Sequence, residues 1–138
     1  MKERVLGFLL SDKNSTLSIS MLAFYFYLLL LLEPPEIGPF SFSKDVMNEG
    51  DFAQISCIVT SGDQPLTISW SFHGDGTESD SPDNGITTTN LGTRMSMLVI
   101  EQVKHTHQGY YTCQAKNNAG VSSYSTRLKV NGKYFYPS

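Results

Sequence analysis

Three groups of residues in this sequence are of types that can do chemistry: Cys57 with Cys113, His105 with His107, and the acidic run Asp75, Glu78, Asp80 and Asp83. Thiols either bind metal or pair with each other. These two are the only cysteines and stand far apart, which fits one long-range bridge better than a zinc site needing several ligands at close spacing. An oxidising compartment follows if they pair. Two histidines at this spacing can bind zinc or act as a base, but with no third ligand or nearby thiol they read as part of a solvated corner. The acidic run lacks the ligand pattern of a dedicated calcium loop and reads as a solvated connection. No glycine-rich phosphate loop follows a strand, and no serine sits in a Gly-x-Ser-x-Gly elbow. The expectation is a chain that is not an enzyme, with no catalytic residue, no metal and no cofactor.

A chain of 138 residues holds one ordinary domain, and its composition is that of a globular protein. From Glu33 to Gly132 there are 11 acidic against 6 basic side chains, a net charge of -5. The bases are scattered, so the surface has no attraction for a phosphate backbone, and nucleic acid is excluded as a partner. The only glycosylation pattern, Asn14-Ser15-Thr16, lies ahead of this region.

Residues 1–32 form an apolar leader. No charge occurs from Asn14 to Leu32, and Lys2, Arg4 and Lys13 precede the run. Basic flank followed by a short apolar stretch is the order of a secretory signal, although Glu33-Pro34-Pro35 follows in place of a small-residue cleavage site. A membrane anchor is a second reading. The third is translated intron: Phe, Tyr and Leu in runs are what a pyrimidine-rich tract encodes. Leu32-Glu33 can be written with a splice acceptor, and Gly132-Lys133-Tyr134 with a splice donor. On that reading 133–138 is a read-through tail and 33–132 a single exon.

Within 33–132, short runs alternate apolar and polar residues between turn-forming groups such as Ser61-Gly-Asp-Gln-Pro65 and Asn117-Asn-Ala-Gly120, and none has a helical period. The class is all-β. Ala53, Ile55, Cys57 and Val59 share one face of a strand, as do Leu66, Ile68, Trp70 and Phe72 of the next. Leu98, Ile100 and Val103 then lead into Gly109-x-Tyr111-x-Cys113, where the tyrosine hydroxyl can bond back to the corner backbone.

Cys57, Trp70, Tyr111 and Cys113 at this spacing resemble the immunoglobulin superfamily, which implies a Greek-key β-sandwich whose two sheets are joined by a Cys57–Cys113 disulfide packed on Trp70. The polar stretch between Trp70 and Leu98 leaves little room for extra edge strands, so the intermediate (I-set) type is expected. His107 departs from the family, which usually has Asp there, and puts the usual ion pair in doubt. More narrowly, Pro35–Phe42, Asn48–Asp51, Ser61–Leu66 and Gln114–Gly120 resemble the variable immunoglobulin domains of arthropod Down syndrome cell adhesion molecules (Dscam). That resemblance implies a module on the extracellular side of the plasma membrane or secreted, alternative splicing, and homophilic binding to the same or a closely related domain in self-avoidance and axon guidance. The alternative it leaves open is an immune-type receptor module that binds foreign ligands through Asp63–Pro65 and Asn117–Ala119.

The residues themselves supply a candidate interface. If Leu98 and Ile100 point inward, Met95, Met97 and Val99 point outward and are joined across the neighbouring strand by Ile58. An open antiparallel sheet normally shows water polar side chains, so this cluster favours being covered, and a two-fold contact with another copy would cover it. Gln54, Ser56, Thr87, Thr88 and Thr89 are expected to form its polar rim.

Overall fold

The computed structural model describes residues 15–76 and 84–132, with side chains from Ser18 onward. The chain divides into two compact units, residues 1–33 and 34–138. The first contains α1 (Ser15–Leu30), 16 residues long, with Phe24, Phe26 and Leu30 exposed. A helix of that length spans about 24 Å against a hydrocarbon core of about 30 Å. Among the described residues no helix is long and apolar enough to cross a membrane.

The described residues of the second unit form a sandwich of eight strands: β1 (Glu36–Ile37), β2 (Val46–Asn48), β3 (Ala53–Ser61), β4 (Thr67–Gly74), β5 (Ile86–Leu91), β6 (Met95–Ile100), β7 (Gly109–Asn117) and β8 (Gly120–Asn131). One sheet runs β1-β3-β6-β5 and the other β2-β8-β7-β4. All pairings are antiparallel except β2 with β8. The period-two alternation explains the layering. Ala53, Ile55, Cys57 and Val59 of β3, Leu98 and Ile100 of β6, and Tyr111, Cys113 and Ala115 of β7 are all buried between the sheets. Ile68, Trp70 and Phe72 share the inward face of β4 but are only half-buried, because β4 is an edge strand.

The disulfide joins β3 to β7 across the sandwich, with Cα atoms 6.3 Å apart, and Trp70 packs against it. The Trp70 indole N–H donates to Ser96 Oγ at 3.0 Å, which accounts for a serine buried on the inner face of β6. Phe40 stands edge-on to Trp70 at 5.4 Å and closes that end of the core.

Two glycines are fixed by close approach. A Cβ on Gly109 would lie 2.2 Å from the His73 carbonyl oxygen, so β7 can reach β4 there only with glycine. Gly62 has φ +117°, and its Cβ would sit 2.7 Å from Pro35 Cα.

The corner between β6 and β7 differs from the solvated one expected. A single 3-10 turn, His105–His107, turns its two histidines to different surroundings. His105 is exposed and bonds Glu49 at 3.3 Å. His107 is buried: its Nδ1 accepts the Lys104 backbone N–H at 2.8 Å, while Nε2 bonds the Asn84 carbonyl. Since Nδ1 accepts, the proton sits on Nε2, and the ring is neutral. Two backbone hydrogen bonds thus stand where the family has an ion pair, and among the described residues no ion pair forms at His107.

Candidate protein-binding face

The outer face of the β1-β3-β6-β5 sheet is organised by two registers. β3 pairs with β6 so that Gln54 lies opposite Val99, Ser56 opposite Met97 and Ile58 opposite Met95. β5 pairs with β6 so that Thr87, Thr89 and Leu91 meet the same three residues from the other side. Directly opposed residues point to the same face, so the outer surface carries three rows: Gln54–Val99–Thr87, Ser56–Met97–Thr89 and Ile58–Met95–Leu91. An apolar spine, Met95, Met97 and Val99, runs down the middle. It ends in a wholly apolar row whose outer members, Ile58 and Leu91, are each 45% exposed. Phe52, 53% exposed, precedes β3 at the next outward position of the same alternation.

The structure therefore places Gln54, Ile58, Met95, Met97 and Val99 on one surface, with the three β6 residues half-buried by their neighbours. Thr87 and Thr89 flank it. Thr88 does not belong to this rim: it lies opposite Leu98, on the inward-facing parity, and is exposed because β5 is an edge strand. Leu91 and Phe52 were not singled out from sequence. Phe52 continues the strand alternation and was available to that reading, whereas Leu91 joins the face only through the β5–β6 register.

The opposite sheet has a different outer surface. Its rows are His73–Tyr110–Arg127, Ser71–Thr112–Ser125, Ser69–Gln114–Ser123 and Thr67–Lys116–Val121. Serine, threonine and glutamine are the ordinary dress of a water-facing sheet. At one end Arg127 donates to the Asp75 carboxylate at 2.7 Å and lies 5.5 Å from the Tyr110 ring centre. Gln108 Nε2 adds a second bond to Asp75 at 3.0 Å. Arg127 first, and then Gln108, hold the Asp75 carboxyl below its ordinary range, and Asp75 holds the Arg127 guanidinium above its own. Asp51 is likewise lowered, chiefly by the Asn48 backbone N–H at 3.0 Å.

The loops named as alternative contacts are internally engaged. The Asn117 side chain is buried. Its oxygen accepts the N–H groups of Ala119 and Gly120, and its nitrogen donates to the Asp63 carbonyl at 3.0 Å. Asn117 therefore braces two turns, while Asp63, Gln64, Pro65, Asn118 and Ala119 around it are exposed. Gln64 donates to Thr93 Oγ1 at 3.0 Å across the same end. Of the acidic run, Asp75 is occupied by Arg127, while Glu78, Asp80 and Asp83 lie outside the described residues. Among the described residues no three His, Cys, Asp or Glu side chains converge as metal ligands would.

Residues 34–117, which hold both half-cystines, Trp70 and Tyr111, match an immunoglobulin domain family model. The chain belongs to the immunoglobulin domain family. That family is non-enzymatic, and relatives of this immunoglobulin domain include cell adhesion molecules. It is 39% identical over 101 residues to cell adhesion molecule Dscam1 of Drosophila melanogaster, a match covering 73% of this chain and 5% of the relative. It is 35% identical over 97 residues to human cell adhesion molecule DSCAM, covering 70% and 4%. Among solved structures, a Dscam1 Ig7 domain (isoform 5) superposes with TM-score 0.63 at 39% identity, covering 71% of this chain and 97% of that one. A three-domain titin fragment, I67–I69, gives 0.57 at 28%, covering 70% and 32%. The immunoglobulin domain is thus Dscam-like, and the chain spans about one-twentieth of the length of the curated relatives it matches.

Proposed function

We propose that this immunoglobulin domain mediates homophilic cell–cell adhesion of the kind used in neuronal self-recognition, self-avoidance and axon guidance. The domain works on the extracellular side of the plasma membrane within a longer, alternatively spliced protein. Its partner is the same or a closely related domain. The supporting observation is the contrast between the two outer surfaces. One carries serine, threonine and glutamine through its middle rows and only Tyr110 and Val121 as exposed large hydrophobics at its two ends, whereas the other gathers Phe52, Ile58, Leu91, Met95, Met97 and Val99 where a solvated sheet would carry polar side chains. A two-fold contact would bring the apolar spine of one copy onto that of another, with Gln54, Ser56, Thr87 and Thr89 beside it. Kinship to adhesion molecules supports the same reading.

Residues 34–138 contain every buried core residue described and the disulfide, and the related Dscam1 Ig7 domain crystallised by itself, so this unit is suited to direct measurement. Changing Met97 and Val99 together to Lys places charge in the centre of the face. Self-association in analytical ultracentrifugation and aggregation of coated beads should both disappear while the melting transition survives. Unchanged association of the double variant would move the contact elsewhere.

A further inference from the structure

The free edge of β5 offers a second surface. β5 is the terminal strand of its sheet, bonded to β6 on one side and to no described strand on the other. Edge strands are normally guarded by lysine, proline, a bulge or extreme shortness, because an unpaired ladder invites another chain. Ile86-Thr-Thr-Thr-Asn-Leu91 has neither charge nor proline, its register to β6 is unbroken, and it is rich in residues that favour strands.

The hydrogen-bond parity identifies which groups face out. The Val59 N–H donates to the Arg94 carbonyl at 2.8 Å, so Arg94 and, by alternation, Ser96, Leu98 and Ile100 turn their backbone groups toward β3. Met95, Met97 and Val99 turn theirs toward β5, where they meet Leu91, Thr89 and Thr87. The N–H and C=O groups of Ile86, Thr88 and Asn90 are left directed away from the sheet.

We propose that this edge pairs antiparallel with the same edge of a second copy, Thr88 opposite Thr88 and Ile86 opposite Asn90. The arrangement is self-consistent: the outward groups of all three residues meet outward groups, giving about six backbone hydrogen bonds around a two-fold axis. On the outer surface Thr87 falls opposite Thr89 of the other copy, a favourable cross-strand pair, and the paired strands themselves carry no charge. A second copy is the occupant because the pairing closes on itself and makes the apolar faces of two domains continuous, side by side and pointing the same way. The corresponding edge of the other sheet, β4, borders the Ser/Thr surface and ends at the Asp75–Arg127 charges. An edge pair leaves the apolar face open. It therefore does not rest on the face-to-face contact above, and would present that contact bivalently.

Amide exchange followed by NMR on the 34–138 unit tests this directly. Raising the concentration from about 10 μM to about 1 mM should slow exchange at Ile86, Thr88 and Asn90 by roughly tenfold, while Thr87, Thr89 and Leu91, already bonded to β6, stay protected throughout. Thr88→Pro removes an outward N–H that β6 does not use, and Thr88→Lys puts charge on the edge without touching the core. Both should abolish the concentration-dependent protection. Met97→Lys with Val99→Lys should leave it intact. Exchange at Ile86, Thr88 and Asn90 that is independent of concentration overturns the edge pairing, as does protection that survives Thr88→Lys or appears only with an unrelated added strand peptide.

Discussion

The Tyr111 hydroxyl donates to the His107 carbonyl four residues upstream at 2.6 Å, with both residues buried. This bond ties the start of β7 to the 3-10 turn. Removing the hydroxyl leaves a buried carbonyl unsatisfied, so Tyr111→Phe should lower the free energy of unfolding by about 1–3 kcal/mol in urea titration.

Burial pushes the Tyr111 phenol well above its usual ionisation range. A group whose folded-state pKa is raised contributes stability that is complete below the unfolded value and lost as pH rises beyond it. Stability should therefore decline as pH climbs past about 10, the ordinary phenol value. Tyr111→Phe should flatten that decline; an identical alkaline slope in wild type and variant would show that other groups cause it.

The neutral His107 ring bridges the Lys104 N–H and the Asn84 carbonyl, closing the corner against the entry to β5. His107→Ala strips two backbone groups of their partners at once and should cost about 2–4 kcal/mol. The loss is measurable by denaturation. His107→Asp should not restore it, because a carboxylate can accept from Lys104 but cannot donate to Asn84.

Cys57 and Cys113 are 56 residues apart, and joining them removes about 4 kcal/mol of loop entropy from the unfolded chain. Cys57→Ala should leave a marginal or unfolded domain by thermal melting. A cooperative melt within a few degrees of wild type would contradict this.

Asp75 bonds Arg127 and Gln108 at the exposed end of the Ser/Thr surface. Its lowered pKa means that its contribution is present above the ordinary carboxylate value near 4 and is lost as pH falls through its own lower midpoint. A carboxyl-carbon NMR titration should find that midpoint below its usual place in wild type and higher in Arg127→Ala. Because the pair is exposed, the melting temperature of Arg127→Ala should change little at neutral pH.

The sandwich was legible in the chain because its signals are local or carried by rare residue types. Period-two alternation around Cys57 and before Cys113, a single Trp, and Tyr111 two positions before a cysteine need no knowledge of distant partners. His107 was misjudged for the opposite reason. Nothing near it in sequence announces that the Asn84 carbonyl, 23 residues earlier, will cover it. Asn117 read as an exposed turn residue for the same cause, since its partner Asp63 lies 54 residues away.

Strand periodicity alone determined that Met95, Met97 and Val99 share a face opposite to Leu98 and Ile100, because side chains on any strand alternate whatever their neighbours are. Register was decided only in three dimensions. The β5–β6 pairing brings Leu91 into line with Met95 and Ile58, puts Thr87 and Thr89 and not Thr88 on the face of the spine, and leaves the backbone of Ile86, Thr88 and Asn90 facing out. A shift of one residue would reverse each of those outcomes, and the choice is made by which pairing buries the core and lets the hairpin turn close.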